Sequence, residues 1–284
     1  MKKIFALILT AALAITAVGC RKSDDSESRR TNRLEEIKER GVLTVATEPY
    51  FAPNEFIDPT KTGDEMYVGS DIEFAKYIGE KLGVEVKIVP LEFTEVLTSV
   101  QQGKYDIAIS ALSYTADRAE GMNLSKSYYK SEDSKGYGMV VRKSDADKYT
   151  TAESYADATL IVQKGSMQET FIKEQIPSYK ELKYLASMTD TFLAVSEGKA
   201  DRAACSIDMA ELFIRANPDL DLAVAQDFKF TIDPDKDGVV VAMAKGEDEL
   251  TDRINDIIDE FRETGLYKQW NDEYKAYAKK LGIE

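Results

Sequence analysis

Two successive series of short apolar strands, each followed by a segment of helical period, constrain this chain more than any other feature. Residues 41–46 read as a strand. A helix capped by Ser70 or Asp71 runs to about Leu82 and stops at Gly83, and 84–89 is the next strand. A helix over 93–102 ends at Gly103, and a further strand starts at Asp106. The second series has strands at 159–162, 182–185 and 203–205, with helices from Gly165 to about Gln175 and over 188–197. A helix near 208–216 stops at Asn217-Pro218. The strand 238–244 precedes two last helices, 248–263 and 266–280, parted by Gly265. Such alternation predicts an α/β protein. Two similar series predict two lobes, crossed near 133–140 and 232–240, with their loops facing each other over a cleft.

Residues 106–118 carry the chemistry. They read as a buried strand (Ile107, Ala108, Ile109) opening into a hydroxyl-rich loop with Ser110, Ala111 and Ser113. Arg118 then falls in the first turn of a short helix capped by Thr115. Backbone N–H groups, serine hydroxyls and a guanidinium fork converging there make a carboxylate receptor. Taken alone, the stretch reads equally as a strand-end loop with a solvated arginine.

The N-terminus is a targeting segment. Lys2 and Lys3 precede an apolar run over 4–18, too short to span a bilayer comfortably. It closes on Ala17-Val18-Gly19-Cys20, which resembles the lipobox of bacterial lipoproteins, although Ala17 stands where leucine is usual. The resemblance implies cleavage before Cys20 and lipid on its sulfur; the alternative is an ordinary signal peptide with an incidental cysteine. Residues 21–32 are charged and poor in apolar groups, as a tether would be. The expected organisation is a signal peptide at 1–19 and a lipidated tether at 20–39. Lobe 1 is expected to combine 40–132 with 238–284, and lobe 2 to take 133–237.

Two cysteines, one of them Cys20, leave Cys205 unpaired, so no disulfide framework is expected. The formal charge of −14 argues against nucleic acid or an anionic membrane surface as partner. The absence of histidine removes the usual imidazole base and the commonest zinc ligand. No metal and no cofactor are expected. The run Asp233-Pro234-Asp235-Lys236-Asp237-Gly238 opens like a calcium loop, but Ala244 holds its twelfth position and an apolar strand runs through it.

Several ordered motifs resemble one family. Gly69-Ser70-Asp71-Ile72-Glu73-Phe74, followed by Ile78-Gly79 and Leu82, looks like the signature of polar-amino-acid-type extracellular solute-binding proteins, the receptors that feed ABC importers. Leu112-Ser113-Tyr114-Thr115-Ala116-Asp117-Arg118, Ser125-Lys126-Ser127-Tyr128-Tyr129, Gln163-Lys164-Gly165-Ser166-Met167-Gln168, Gly198-Lys199-Ala200-Asp201 and Gly265-Leu266-Tyr267 fit later blocks. Ser70 departs from the large apolar residue usual at its position.

The resemblance implies a bilobal type II periplasmic-binding-protein fold that closes on an amino acid, acts as a monomer and delivers its ligand to a membrane permease. Arg118 would pair with the ligand carboxylate, helped by Ser113 and the backbone around Ala111. Phe51 and Phe93 would sandwich the side-chain stem, though core packing is the commoner fate of an aromatic. Ser166, Met167 and Gln168 would close from the second lobe. Glu48 matches the acid that relatives carry when they bind cationic amino acids. A dicarboxylic ligand is disfavoured, because no second basic residue is committed to the cleft.

One departure stands out. Ser206 occupies the place of the family's ammonium-binding aspartate, with Asp208 two residues on. Either Asp208 swings in, or the ligand is not a standard α-amino acid; Asp208 also reads as a helix cap. Two rival functions share the scaffold. One is an elimination enzyme similar to the cyclohexadienyl dehydratases, with Glu48 as its candidate proton-transfer group. The other is a sensory receptor.

Overall fold

The computed structural model describes residues 32–148, 150–226, 228–234 and 237–283. The expected signal peptide and Cys20 lie outside the described residues, as does most of the tether.

The described chain opens on helix α1 (Arg33–Arg40), which corrects the expectation of a tether reaching residue 39. Asn32 caps it, its side-chain oxygen accepting the Glu35 N–H at 2.9 Å. Ile37 is fully buried and Leu34 packs on the same core, so this turn of charged sequence is pinned by two apolar residues on one face. Next come β1 (Val42–Thr47), the short strands β2 (Tyr50–Phe51), β3 (Glu55–Ile57) and β4 (Tyr67–Val68), and α2 (Ser70–Leu82). Then follow β5 (Glu85–Pro90), α3 (Phe93–Gln101), β6 (Ile107–Ala108), α4 (Ala116–Gly121) and β7 (Met122–Tyr129). The cap of α2 is Gly69 rather than Ser70 or Asp71. Gly69 has φ 133°, and a Cβ there would lie 2.1 Å from the Asn54 carbonyl oxygen, so only glycine fits.

The chain then enters the second lobe with β8 (Tyr137–Arg142), β9 (Thr159–Gln163), α5 (Met167–Gln175) and β10 (Glu181–Leu185). It continues through α6 (Met188–Ser196), β11 (Arg202–Ser206), α7 (Ile207–Ala216) and β12 (Leu222–Val224). It returns to the first lobe with β13 (Val239–Ala244), α8 (Asp248–Arg262) and α9 (Leu266–Leu281).

The two main sheets repeat one plan. Their orders are β5-β1-β6-β13-β7 and β10-β9-β11-β8-β12, and a small antiparallel sheet β2-β3-β4 sits beside the first. In each main sheet three parallel strands meet an antiparallel strand at the fourth place. Alternate residues serve opposite faces, as the pleat requires. Leu160 and Val162 of β9 point into one core of the second lobe, and Ile161 into the other. In the first lobe Leu43 and Val45 of β1 pack on Phe74, Ile78 and Ile254, while Ala46 faces Phe93, Val96 and Val100. The parallel strands end where the loops of the two lobes meet, and the cleft lies there.

Candidate functional site

Arg118 is placed by local sequence. The Thr115 hydroxyl accepts the Arg118 N–H at 3.1 Å, which starts α4 and turns the guanidinium inward. The side chain is buried. Its Nη1 donates to the Ser113 carbonyl at 2.6 Å and its Nη2 donates across the cleft to the Gly165 carbonyl at 2.9 Å. The guanidinium lies 5.6 Å from the Phe93 ring centre. Burial lowers its pKa to about 10, which leaves it charged at neutral pH. Among the described residues no carboxylate pairs with it, so a buried cation is met by carbonyl oxygens, an aromatic face and the nearby Tyr137. That is a site complementary to an anion.

Glu48 follows directly on β1 and is 4% exposed. Its N–H donates to Ser110 Oγ at 2.9 Å. Both of its carboxylate oxygens accept from Gln163 Nε2, at 2.8 and 3.0 Å, so this bond too joins the lobes. Burial pushes the carboxyl up to about 7; the Gln163 bond works against that rise and the charge of Glu92 adds to it.

All twelve residues expected at the ligand site border one cavity between the lobes. Phe51 reaches from β2 onto the core of the second lobe, whereas Phe93 is at once a core residue of α3 and a wall of the cavity. Ser110 Oγ donates to Glu55 Oε1 at 3.0 Å. Ser113 Oγ lies 3.4 Å from the Tyr137 hydroxyl. Ser166 caps α5, its Oγ accepting the Glu169 N–H, and Met167 and Gln168 follow in the first turn.

Two expectations are corrected in detail. The Ala111 N–H does not face the cavity as a free donor, because it donates to Asp71 Oδ2 at 2.7 Å. Asp208 is not the cap of α7. That place belongs to Ser206, whose hydroxyl makes no capping bond, while Asp208 Oδ2 accepts the Lys135 N–H at 2.9 Å. Sequence reasoning left out Gln163, Glu55 and Tyr137 as site residues. Gln163 stood inside a quoted motif, but its partner is 115 residues away. Among the described residues no group of three or more acidic or thiol side chains is arranged to hold a metal ion.

The family profile of the bacterial extracellular solute-binding proteins, family 3, matches residues 43–277. The arginine-binding extracellular protein ArtP of Bacillus subtilis is 27% identical over 276 residues, spanning 95% of this chain and 98% of that one. A cyclohexadienyl dehydratase of Pseudomonas aeruginosa is 26% identical over 212 residues, 74% of each chain. The crystal structure of an amino acid ABC transporter substrate-binding protein, AbpA of Streptococcus pneumoniae bound to L-arginine, superposes with a TM-score of 0.75. It is 34% identical and covers 88% of this chain and 99% of its own. With the profile spanning most of the chain and the two-sheet plan shared, the chain belongs to the bacterial extracellular solute-binding proteins, family 3, and has the type II periplasmic-binding-protein fold.

Proposed function

We propose that the cleft captures an amino acid with a cationic side chain and that the chain presents it to an ABC permease. The observation that carries this reading is a pair of opposed buried charges in one cavity, Arg118 without a carboxylate partner and Glu48 held by an amide. A ligand α-carboxylate meets the guanidinium, and a ligand guanidinium or ammonium meets Glu48. Phe51 and Phe93 flank the stem between them. Ser113, Ser166, Met167 and Gln168 line the carboxylate end, and Ser206 with Asp208 receives the α-ammonium. The arginine named for both ArtP and AbpA supports this choice of side chain. In the same reading residues 1–19 direct export and a lipid on Cys20 holds a monomeric receptor at the outer face of the membrane; Cys20→Ala then releases it to the soluble fraction.

Calorimetry on ligand-stripped, refolded protein tests the site with L-arginine, L-lysine, ornithine and citrulline. L-arginine is expected to bind at least tenfold more tightly than citrulline, its neutral near-isostere. A cationic ligand at a thousand times its Kd adds about 4 kcal/mol, or roughly 10 °C in Tm for a chain of this size. No response to any cationic amino acid overturns the proposal. One feature favours a second reading: burial pushes the Glu48 carboxyl up to about 7, where it is suited to proton transfer, and the chain is 26% identical to a dehydratase. Turnover of prephenate or arogenate would replace the receptor with an enzyme.

A further inference from the structure

Glu55 borders the cavity and, with Asp71 behind it, makes a second acidic pair that the binding reading does not use. Glu55 of β3 and Asp71 of α2 are 1% and 0% exposed, and their carboxyl groups bind adjacent residues of one turn, Ser110 and Ala111. Asp71 is the better served. Its Oδ1 accepts from the hydroxyls of Tyr128 and Tyr267 at 2.8 and 2.5 Å, and its Oδ2 accepts the Ala111 N–H at 2.7 Å. Among the described residues Glu55 receives one donor, Ser110 Oγ at 3.0 Å on Oε1, and none reaches its Oε2. The charged or titratable groups facing Glu55 are Asp71, Glu48 and the phenols of Tyr128 and Tyr267. None is a cation. Two carboxylates so placed cannot both be ionised, and the one with three donors keeps the charge.

Both members grip the turn that ends β6. Asp71 holds the Ala111 N–H, and Ala111 has φ 44°, a left-handed conformation costly for a residue with a Cβ. Glu55 holds Ser110, whose oxygen in turn accepts the Glu48 N–H. Ser113 follows in the same loop, and Arg118 stands just beyond it in the first turn of α4.

We infer that Glu55 carries a proton at neutral pH, donates it to Asp71, and acts with Asp71 as a positioning pair that fixes the Ser110–Ala111 turn for the ligand. Its effect on ligand affinity rests on the proposed reading of the cleft; its effect on the turn does not. Burial and the neighbouring Asp71 both push the Glu55 carboxyl upward.

The test uses ligand-free protein labelled with ¹³C at glutamate carboxyls and ¹⁵N at backbone amides. One glutamate signal at pH 7 should be that of a neutral carboxylic acid and should vanish in Glu55→Gln. The Ala111 amide resonance should move at alkaline pH as that proton leaves, and should stay fixed in Glu55→Gln. Glutamine can still accept from Ser110 and donate to Asp71, so Glu55→Gln should bind L-arginine within about threefold of the parent. Glu55→Leu, which does neither, should bind at least tenfold more weakly. An ionised Glu55 at pH 7, or a Glu55→Leu protein with parental Ala111 resonance and affinity, overturns the inference. Failure of the parent protein to bind L-arginine would remove the functional proposal instead, and the two resonance measurements would still decide the pair.

Discussion

A cationic ligand should bind this protein with an affinity set by the protonation of Glu48. The carboxyl is 4% exposed, has one amide partner, and is pushed by burial from its ordinary 4.5 up to about 7. A guanidinium placed against it requires the anion, so binding expels a proton wherever Glu48 begins neutral. At pH 5.5 the neutral form is in about 30-fold excess, which costs a cationic ligand about 2 kcal/mol relative to pH 8. The Kd for L-arginine should therefore fall nearly tenfold per pH unit up to about pH 7 and level off above it. The sign for the ligand-free protein is opposite. A carboxyl whose pKa is raised by folding contributes stability in full below the unfolded value near 4.5 and loses it as pH rises through about 7. The thermal shift produced by L-arginine should accordingly widen by about 4–8 °C between pH 5.5 and pH 8. Calorimetry in buffers of different ionisation enthalpy counts the proton released near pH 6. Glu48→Gln should release none at Glu48, lose the pH dependence, and bind L-arginine at pH 8 at least tenfold more weakly. A flat Kd in the parent protein, or the same slope in Glu48→Gln, would refute the reasoning.

Arg118→Ala removes the buried guanidinium beside Phe93 and should weaken L-arginine by ~2 kcal/mol or more, read by calorimetry; an unchanged Kd removes the whole site assignment. Gly69→Ala forces a Cβ against the Asn54 carbonyl at a φ of 133° and should cost at least about 2 kcal/mol in urea unfolding; a midpoint shift worth less than ~0.5 kcal/mol would contradict the geometry. Asp208→Ala should weaken L-arginine at least tenfold and leave 5-guanidinopentanoate, which lacks the α-amino group, unaffected; equal affinities for L-arginine would end its role at the ammonium.

Local chemistry was readable in the sequence, and contacts across the chain were not. The α4 start was legible because Thr115 and Arg118 stand at capping distance, and the structure joins them at 3.1 Å. The inner parallel strands, such as β9, were legible as apolar runs, since both their faces are buried. Strands of two or three residues, such as β2 and β4, leave no period to detect, and their pairing comes from chain reversal rather than composition. Asp71 read as a cap because aspartate favours that place. Its carboxylate instead turns into the core, where Tyr128, Tyr267 and Ala111, brought in from three other elements, supply its donors. The same holds for α1, where a tether-like composition concealed the Leu34 and Ile37 face.

Two of the bonds that cross the cleft end on a single turn. Gln163 closes β9 and meets Glu48, and Gly165, two residues on, offers its carbonyl to Arg118. Gly165 has φ 77°, and a Cβ there would lie 3.4 Å from Leu97, so the turn approaches the first lobe closely. One short segment of the second lobe thus touches both buried charges of the first, opposite in sign. A ligand bearing an anion and a cation at matching separation can satisfy both ends beneath that turn. A ligand missing either charge leaves Arg118 or Glu48 buried with only neutral partners, a cost of several kcal/mol that its remaining contacts must offset. In the proposed reading, selectivity for a zwitterion with a cationic side chain follows from where this turn closes, rather than from any one contact.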